Sequence, residues 1–160
     1  MSVKLTISDK APDFLLQGDN SKDYSLSDFY DRKLILYFYP KDNTPGCTKE
    51  AVGFSENYEH FLDKNYYIVG ISPDSISKHK SFKERYDIPF LLLSDPEKKV
   101  AAMYGAYGEK RMYGKSYKGI IRSTFLIDEK GIIRKTYYNV KVKEHIMKVL
   151  NEITNLEKRS

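Results

Sequence analysis

Apolar residues fall in short blocks separated by polar turns, and the period of each block predicts its element. Residues 33–39 are an almost unbroken apolar run, the pattern of a central strand buried on both faces. Residues 66–71 repeat it and close at Ser72-Pro73-Asp74. Between them, 44–62 reads as a helix. Thr44 suits the N-cap and Pro45 the first helical position, while Ala51, Phe54, Tyr58, Phe61 and Leu62 recur at helical spacing. Upstream, residues 14–16 and 24–26 flank a polar stretch from Gly18 to Asp23 and predict a hairpin, followed by a short helical turn at 27–30. Downstream, the pattern predicts an exposed, Lys-rich helix at 76–86, a strand at 90–93, a helix at 96–104 and a Gly- and Tyr-rich loop at 105–120. A hairpin over 123–127 and 132–138 turns at Asp128-Glu129-Lys130-Gly131, and a closing helix at 142–156 carries Ile146, Val149, Leu150 and Ile153 on its apolar stripe. The alternation predicts an α/β fold: a mixed central β-sheet flanked by helices, with an N-terminal β-hairpin extension, in one domain over residues 1–160.

Composition narrows the partners. The length of 160 residues suits one core, and no apolar run approaches the ~20 residues that span a bilayer. The opening Met1-Ser2-Val3-Lys4-Leu5-Thr6 lacks the apolar segment of a secretory signal. A single cysteine allows no internal disulfide, so a cytoplasmic location is expected. The net charge of +5 raises nucleic acid as a partner. Acidic residues are interleaved nearly everywhere, however. The most basic stretch, Lys110-Arg111 with Lys115 and Lys118 among Tyr107, Tyr113 and Tyr117, comes with no recognition motif. It reads as a solvated loop face, with neither nucleic acid nor membrane as partner.

The chemistry centres on Cys47. It follows the strand ending near Tyr39-Pro40 and falls in the first turn of the predicted helix, where free backbone N–H groups favour negative charge. A cysteine there is either a reactive thiolate or a small buried hydrophobe, and position alone leaves both readings open. His60, His79 and His145 fall on separate predicted helices without metal-ligand spacing, so no metal or cofactor is expected.

The segment Tyr37-Phe38-Tyr39-Pro40-Lys41-Asp42-Asn43-Thr44-Pro45-Gly46-Cys47-Thr48, with Glu50-Ala51 after it, resembles the active-site motif of the peroxiredoxins, in their bacterioferritin-comigratory-protein or PrxQ branch. A second block agrees: Gly108-Glu109-Lys110, then Met112-Tyr113-Gly114-Lys115, then Arg122-Ser123-Thr124-Phe125-Leu126-Ile127-Asp128. Lys10-Ala11-Pro12-Asp13-Phe14 is a third. The resemblance implies a thioredoxin-like fold and a thiol-dependent peroxidase, monomeric or a weak dimer. Two departures stand out. Val52 occupies the position where many members of the branch carry a second, resolving cysteine, and Tyr107 stands where the branch often has Trp.

The resemblance also assigns roles. Cys47 is the nucleophile, Arg122 lies across from it, and Glu50 orients Arg122, where position alone would equally allow an exposed arginine at a strand edge and an acid that favours the helix dipole. Thr44 serves the thiolate or a bound peroxide oxygen beside its capping role. Pro40 is read from its own chemistry: with no N–H it ends the strand and is expected to shield the sulfur from water, with no chemical role of its own. The expected reaction is attack on hydrogen peroxide or an alkyl hydroperoxide, leaving a sulfenic acid on Cys47. With no second thiol in the chain, a thiol from outside must resolve it: thioredoxin, glutaredoxin, a low-molecular-weight thiol or Cys47 of a second copy. A thioredoxin-type exchange enzyme would need a second cysteine, and a glutathione-peroxidase-like site a tryptophan, and the chain has neither. A peroxide sensor built on Cys47 remains the alternative, distinguished by turnover.

Overall fold

The computed structural model describes residues 4–159. Met1–Val3 and Ser160, at the ends of the expected domain, lie outside the described residues, as does the side chain of Met112. Seven strands form one mixed sheet: β1 (Leu15–Gly18), β2 (Asp23–Ser25), β3 (Lys33–Phe38), β4 (Tyr66–Ser72), β5 (Leu91–Ser94), β8 (Ser123–Ile127) and β9 (Ile133–Tyr137), in the order β2-β1-β5-β4-β3-β8-β9. The centre is parallel, β3 with β4 and β4 with β5, each pair joined through a helical crossover. β8 and β1 close the flanks antiparallel to β3 and β5.

The apolar run at 33–39 has a direct cause in this placement. β3 lies between β4 and β8, and its residues alternate between two cores. Leu34, Leu36 and Phe38 pack on one face, with Val100 and Ala101 of α4 (Lys99–Met103) and with Leu26 and Phe29 of a short 3-10 turn. Ile35, Tyr37 and Tyr39 pack on the other. There they meet Cys47, Ala51 and Phe54 of α1 (Pro45–Glu56), Phe61 of α2 (Tyr58–Asp63), Phe82 of α3 (Ile76–Tyr86), and Ile146, Val149 and Ile153 of α5 (His145–Arg159). A strand buried on both faces has no polar positions to spare.

The structure corrects four boundaries. The helix expected over 44–62 breaks at Asn57, whose side-chain amide donates to the Gly53 carbonyl (2.9 Å) while its backbone leaves helical geometry (φ −108°, ψ 9°). The helix expected over 96–104 shrinks to Lys99–Met103, because Lys98 takes a left-handed φ of 62°. The closing helix begins at His145 rather than 142, since Glu144 has a φ of 65°, and it runs on to Arg159. The expected loop at 105–120 is instead an antiparallel hairpin of β6 (Tyr107–Met112) and β7 (Lys115–Ile120). It turns at Tyr113 and Gly114, both with positive φ, which matches the right-handed strand twist in a two-residue connection. The helix expected to be exposed at 76–86 is mostly so, but it buries His79 and Phe82. Among the described residues, no helix is long and apolar enough to cross a membrane.

Candidate active site

Cys47 is the third residue of α1 and is 1% exposed. The chain reaches it by a tight path. Tyr39 N–H makes the last bond to β4, donating to the Ile71 carbonyl (3.1 Å), and Pro40 follows without a donor to extend the ladder. Asn43 takes a left-handed φ of 63°, a conformation its short polar side chain tolerates. Thr44 has the extended backbone of an N-cap, and its carbonyl accepts the first helical bond from Thr48 N–H (2.9 Å). Its hydroxyl does not cap the helix; it donates back to the Lys41 carbonyl (2.8 Å). The N–H groups of Gly46 and Cys47, in the first turn, have no carbonyl four residues back to receive them within the helix.

Arg122 enters from the residue before β8 and reaches two partners with one fork. Its Nη1 donates to Glu50 Oε1 at 2.7 Å, and its Nη2 lies 3.3 Å from Cys47 Sγ. Gly46 makes room for the guanidinium, since a Cβ there would stand 3.2 Å from Nη2. Cys47, Glu50 and Arg122, separated by up to 75 positions, thus form one hydrogen-bonded chain. Thr44 and Pro40 border it on the loop, half-buried, and the Thr44 hydroxyl hydrogen goes to Lys41 rather than to the sulfur.

Glu50 is fully buried, and its second oxygen, Oε2, has no hydrogen-bond partner. Burial pushes its carboxyl from the ordinary 4.5 up to about 7, with Arg122 pulling in the opposite direction. Tyr37 OH, on the β3 face that packs against α1, is likewise buried and unpartnered. Burial raises its phenol well above the ordinary 10.0, and the charges of Glu50 and Cys47 add to the rise. A group whose folded value is raised lends stability below its unfolded value and loses it as pH climbs through the folded one. For Glu50 that window runs from about 4.5 to about 7. Glu50→Gln keeps an oxygen for Arg122 and removes the titration. It is therefore expected to gain stability over the parent between pH 5 and 8, by on the order of 3 kcal/mol. Thermal melts at the two pH values check this, and a relative gain by the parent with rising pH would refute it.

Behind the loop lies a buried network that spacing in the sequence did not reveal. Tyr39 OH donates to Asp42 Oδ1 (2.6 Å), and Asp42 N–H donates to Asp74 Oδ2 (2.7 Å). His79 of α3 sits between two oxygens, with Nδ1 2.7 Å from Asp42 Oδ2 and Nε2 2.9 Å from the Leu93 carbonyl. The ligand-type atoms of Asp42, Asp74 and His79 lie within 4.8 Å of one another. They are already engaged with one another and with Tyr39, Ser72 and Leu93, so the cluster reads as a lock holding the 39–44 loop to β4, β5 and α3. His145, also on no spacing pattern, reaches Thr124 Oγ1 with Nε2 (2.9 Å). Burial, then the charges of Arg122 and Lys148, push it down to about 4, so it stands as a neutral ring at neutral pH.

A lone buried thiol at a helix start, one guanidinium bridging it to a buried carboxylate, and a sheet with this strand order define a class. The chain belongs to the AhpC/TSA family, whose model matches residues 7–136. Within it, the chain groups with the Bcp/PrxQ peroxiredoxins. It is 44% identical to peroxiredoxin Bcp of Bacillus subtilis over 157 residues, covering 98% of this chain and 100% of the relative. Among solved structures, a cysteine-to-serine mutant of Xylella fastidiosa PrxQ superposes with a TM-score of 0.90 at 34% identity, covering 97% and 99% of the two chains. The bacterioferritin comigratory protein of Xanthomonas campestris, described for its alkyl peroxide reduction activity, superposes at 0.85 with 31% identity and 97% and 98% coverage. The thioredoxin-like fold expected from the resemblance is the fold found.

Proposed function

We propose that this protein, as one domain, is a cytoplasmic peroxidase that reduces hydrogen peroxide and alkyl hydroperoxides through Cys47 alone. The observation that carries this reading is the fork of Arg122, which meets the only sulfhydryl of the chain and a buried carboxylate at once. The thiolate attacks the terminal peroxide oxygen, and the O–O bond breaks as hydroxide or alkoxide leaves. Arg122 and the free N–H groups of the α1 first turn receive the charge that develops on the departing oxygen, as preorganised donors. Glu50 holds Arg122 in register. Thr44, its hydroxyl hydrogen engaged by Lys41, fixes the turn from which those N–H groups point and keeps an oxygen free to accept from the peroxide. Pro40 keeps water from the sulfur.

The product is a sulfenic acid on Cys47. The position of the usual resolving cysteine in the same helix is Val52, so an external thiol completes the cycle: thioredoxin, glutaredoxin or a small thiol. The mixed disulfide forms with loss of water, and a second thiol releases it. The test is coupled peroxide consumption with each reductant in turn, paired with intact-mass measurement after one equivalent of peroxide. Many turnovers per chain, and a gain of one or two oxygen atoms without loss of two hydrogens, are expected. A single oxidation with no turnover under any reductant would instead make Cys47 a sensor.

A further inference from the structure

His79 is fully buried on α3, and both of its ring nitrogens face acceptors. Nε2 lies 2.9 Å from the Leu93 carbonyl, which has no hydrogen to give, so Nε2 carries one. The tautomer with hydrogen on Nδ1 alone would set two lone pairs against each other there. Nδ1 lies 2.7 Å from Asp42 Oδ2, and that contact also needs a hydrogen. Asp42 and His79 together therefore hold one proton more than a carboxylate and a neutral imidazole. The groups around the pair favour that proton. From the loop, Tyr39 OH donates to Asp42 Oδ1 at 2.6 Å, and burial holds its phenol well above the ordinary 10.0, so it stays a donor. From the turn after β4, Asp74 Oδ2 accepts from the Ser72 hydroxyl and from Asp42 N–H, each at 2.7 Å, and Asp74 lies within 4.8 Å of both members of the pair. From β5 come the Leu93 carbonyl and Ser94, whose hydroxyl goes to the Asp74 carbonyl. On α3, Lys78 and Lys80 flank His79 in sequence but are exposed. His79 thus meets two carboxylates, and among the described residues it is the one cation partner of Asp42.

We propose that the proton shared by His79 and Asp42 latches the turn that carries Cys47, so that above neutral pH this turn opens to a thiol with release of that proton. The consequence for Cys47 rests on reading it as a one-cysteine peroxidase. Asp42 stands two positions before Thr44, the N-cap, whose carbonyl accepts from Thr48 N–H and whose hydroxyl donates to the Lys41 carbonyl. The first turn of α1 therefore hangs from the loop that His79 holds. Cys47 is 1% exposed, so a thiol larger than a peroxide reaches its sulfur only when this turn gives way. Once the loop is free, Asp42 and His79 meet water, where an imidazole is neutral above about 6.5 and a carboxylate is charged. Opening above that pH releases one proton. Below it the imidazole keeps its proton and opening releases none. The closed loop is thus favoured at lower pH, and opening grows about tenfold per pH unit for one proton. His79 touches neither the sulfur nor the peroxide, so it is a positioning residue that acts through Asp42.

Hydrogen exchange reads the opening directly, on the amides of Tyr39 and Asp42, which donate to the Ile71 carbonyl and to Asp74. Two other titrating groups on α1 are kept out of the measurement. Glu50 holds its own extra proton only up to about 7, so exchange is followed between about pH 7.5 and 8.5. Cys47 changes between thiol and thiolate, so the Cys47→Ser protein is used. Protection is taken relative to free-peptide exchange at each pH. It is expected to fall about tenfold across that unit in Cys47→Ser, and to stay level in Cys47→Ser combined with His79→Gln, whose amide has no proton to lose. Level protection in the single variant, or an equal slope in the double variant, overturns the proposal. Where the double variant does not fold, the slope of the single variant decides by itself. The consequence for Cys47 is read on the parent chain, oxidised with one equivalent of hydrogen peroxide and mixed with mercaptoethanol. The rate of sulfenic acid loss per thiolate is expected to rise with the same slope. A level rate beside sloping protection would overturn the link to Cys47. Failure of peroxide to oxidise Cys47 would sink the peroxidase reading and leave the exchange result standing.

Discussion

Cys47→Ser is expected to consume no peroxide above background with any reductant, a loss on the order of 10⁴–10⁶-fold, the range seen when an enzyme loses its nucleophile. The substitution is nearly isosteric, and the site is sealed, with the side chain 1% exposed among Tyr37, Tyr39, Ala51 and Phe54. The fold and the Arg122–Glu50 pair at 2.7 Å therefore survive it. The chemistry does not. An alcohol stays protonated at neutral pH, and its oxygen cannot take up the peroxide oxygen as sulfur does in forming a sulfenic acid. No second cysteine stands in reserve, so rescue from elsewhere in the chain is impossible. The measurement is coupled peroxide consumption beside a melting curve and a circular-dichroism spectrum. A folded variant that still turned over peroxide would overthrow the assignment of Cys47.

The contrast between legible and hidden parts follows from how far each depends on tertiary placement. The run at 33–39 was readable because β3 is central, so burial on both faces is written into consecutive residues. The β6–β7 hairpin was not, because it forms its own two-stranded sheet with most of its residues exposed, and no apolar alternation marks it. Its one local signal was Tyr113-Gly114, a pair able to adopt the positive φ that a tight turn requires. The same division holds at the site. The segment from Pro40 to Glu50 is one strand end, one turn and one helix start, so local rules place its backbone, while the roles of Cys47 and Glu50 come from the resemblance. Arg122 lies 75 positions from Cys47, and only resemblance linked the two before the fold did. His79 is the harder case. On a helix rich in lysine it read as surface, and only the stacking of α3 against β5 and the 39–44 loop turns it inward onto Asp42 and Leu93.

Arg122→Met is expected to lower the second-order rate constant for peroxide by about 10²–10³-fold, or about 2.7–4 kcal/mol, the cost of removing one preorganised donor from a developing oxyanion. Arg122→Lys is expected to recover little of it. The parent spends two nitrogens at once, Nη1 on Glu50 at 2.7 Å and Nη2 on the sulfur at 3.3 Å, and a single ammonium cannot span both. Arg122→Met also strips the partner from a fully buried carboxylate, a loss that destabilises the fold unless Glu50 stays protonated. That second effect is separable. In Arg122→Met combined with Glu50→Gln, no buried charge is left behind, so the melting temperature at pH 8 should return toward the parent while the peroxide rate stays low. Stopped-flow oxidation under pseudo-first-order peroxide gives the rate free of any reductant. Near-parental oxidation in Arg122→Lys would mean that a point charge is enough and that the fork is structural. Recovery of rate in the double variant would mean that the loss came from the stranded carboxylate rather than from the missing donor.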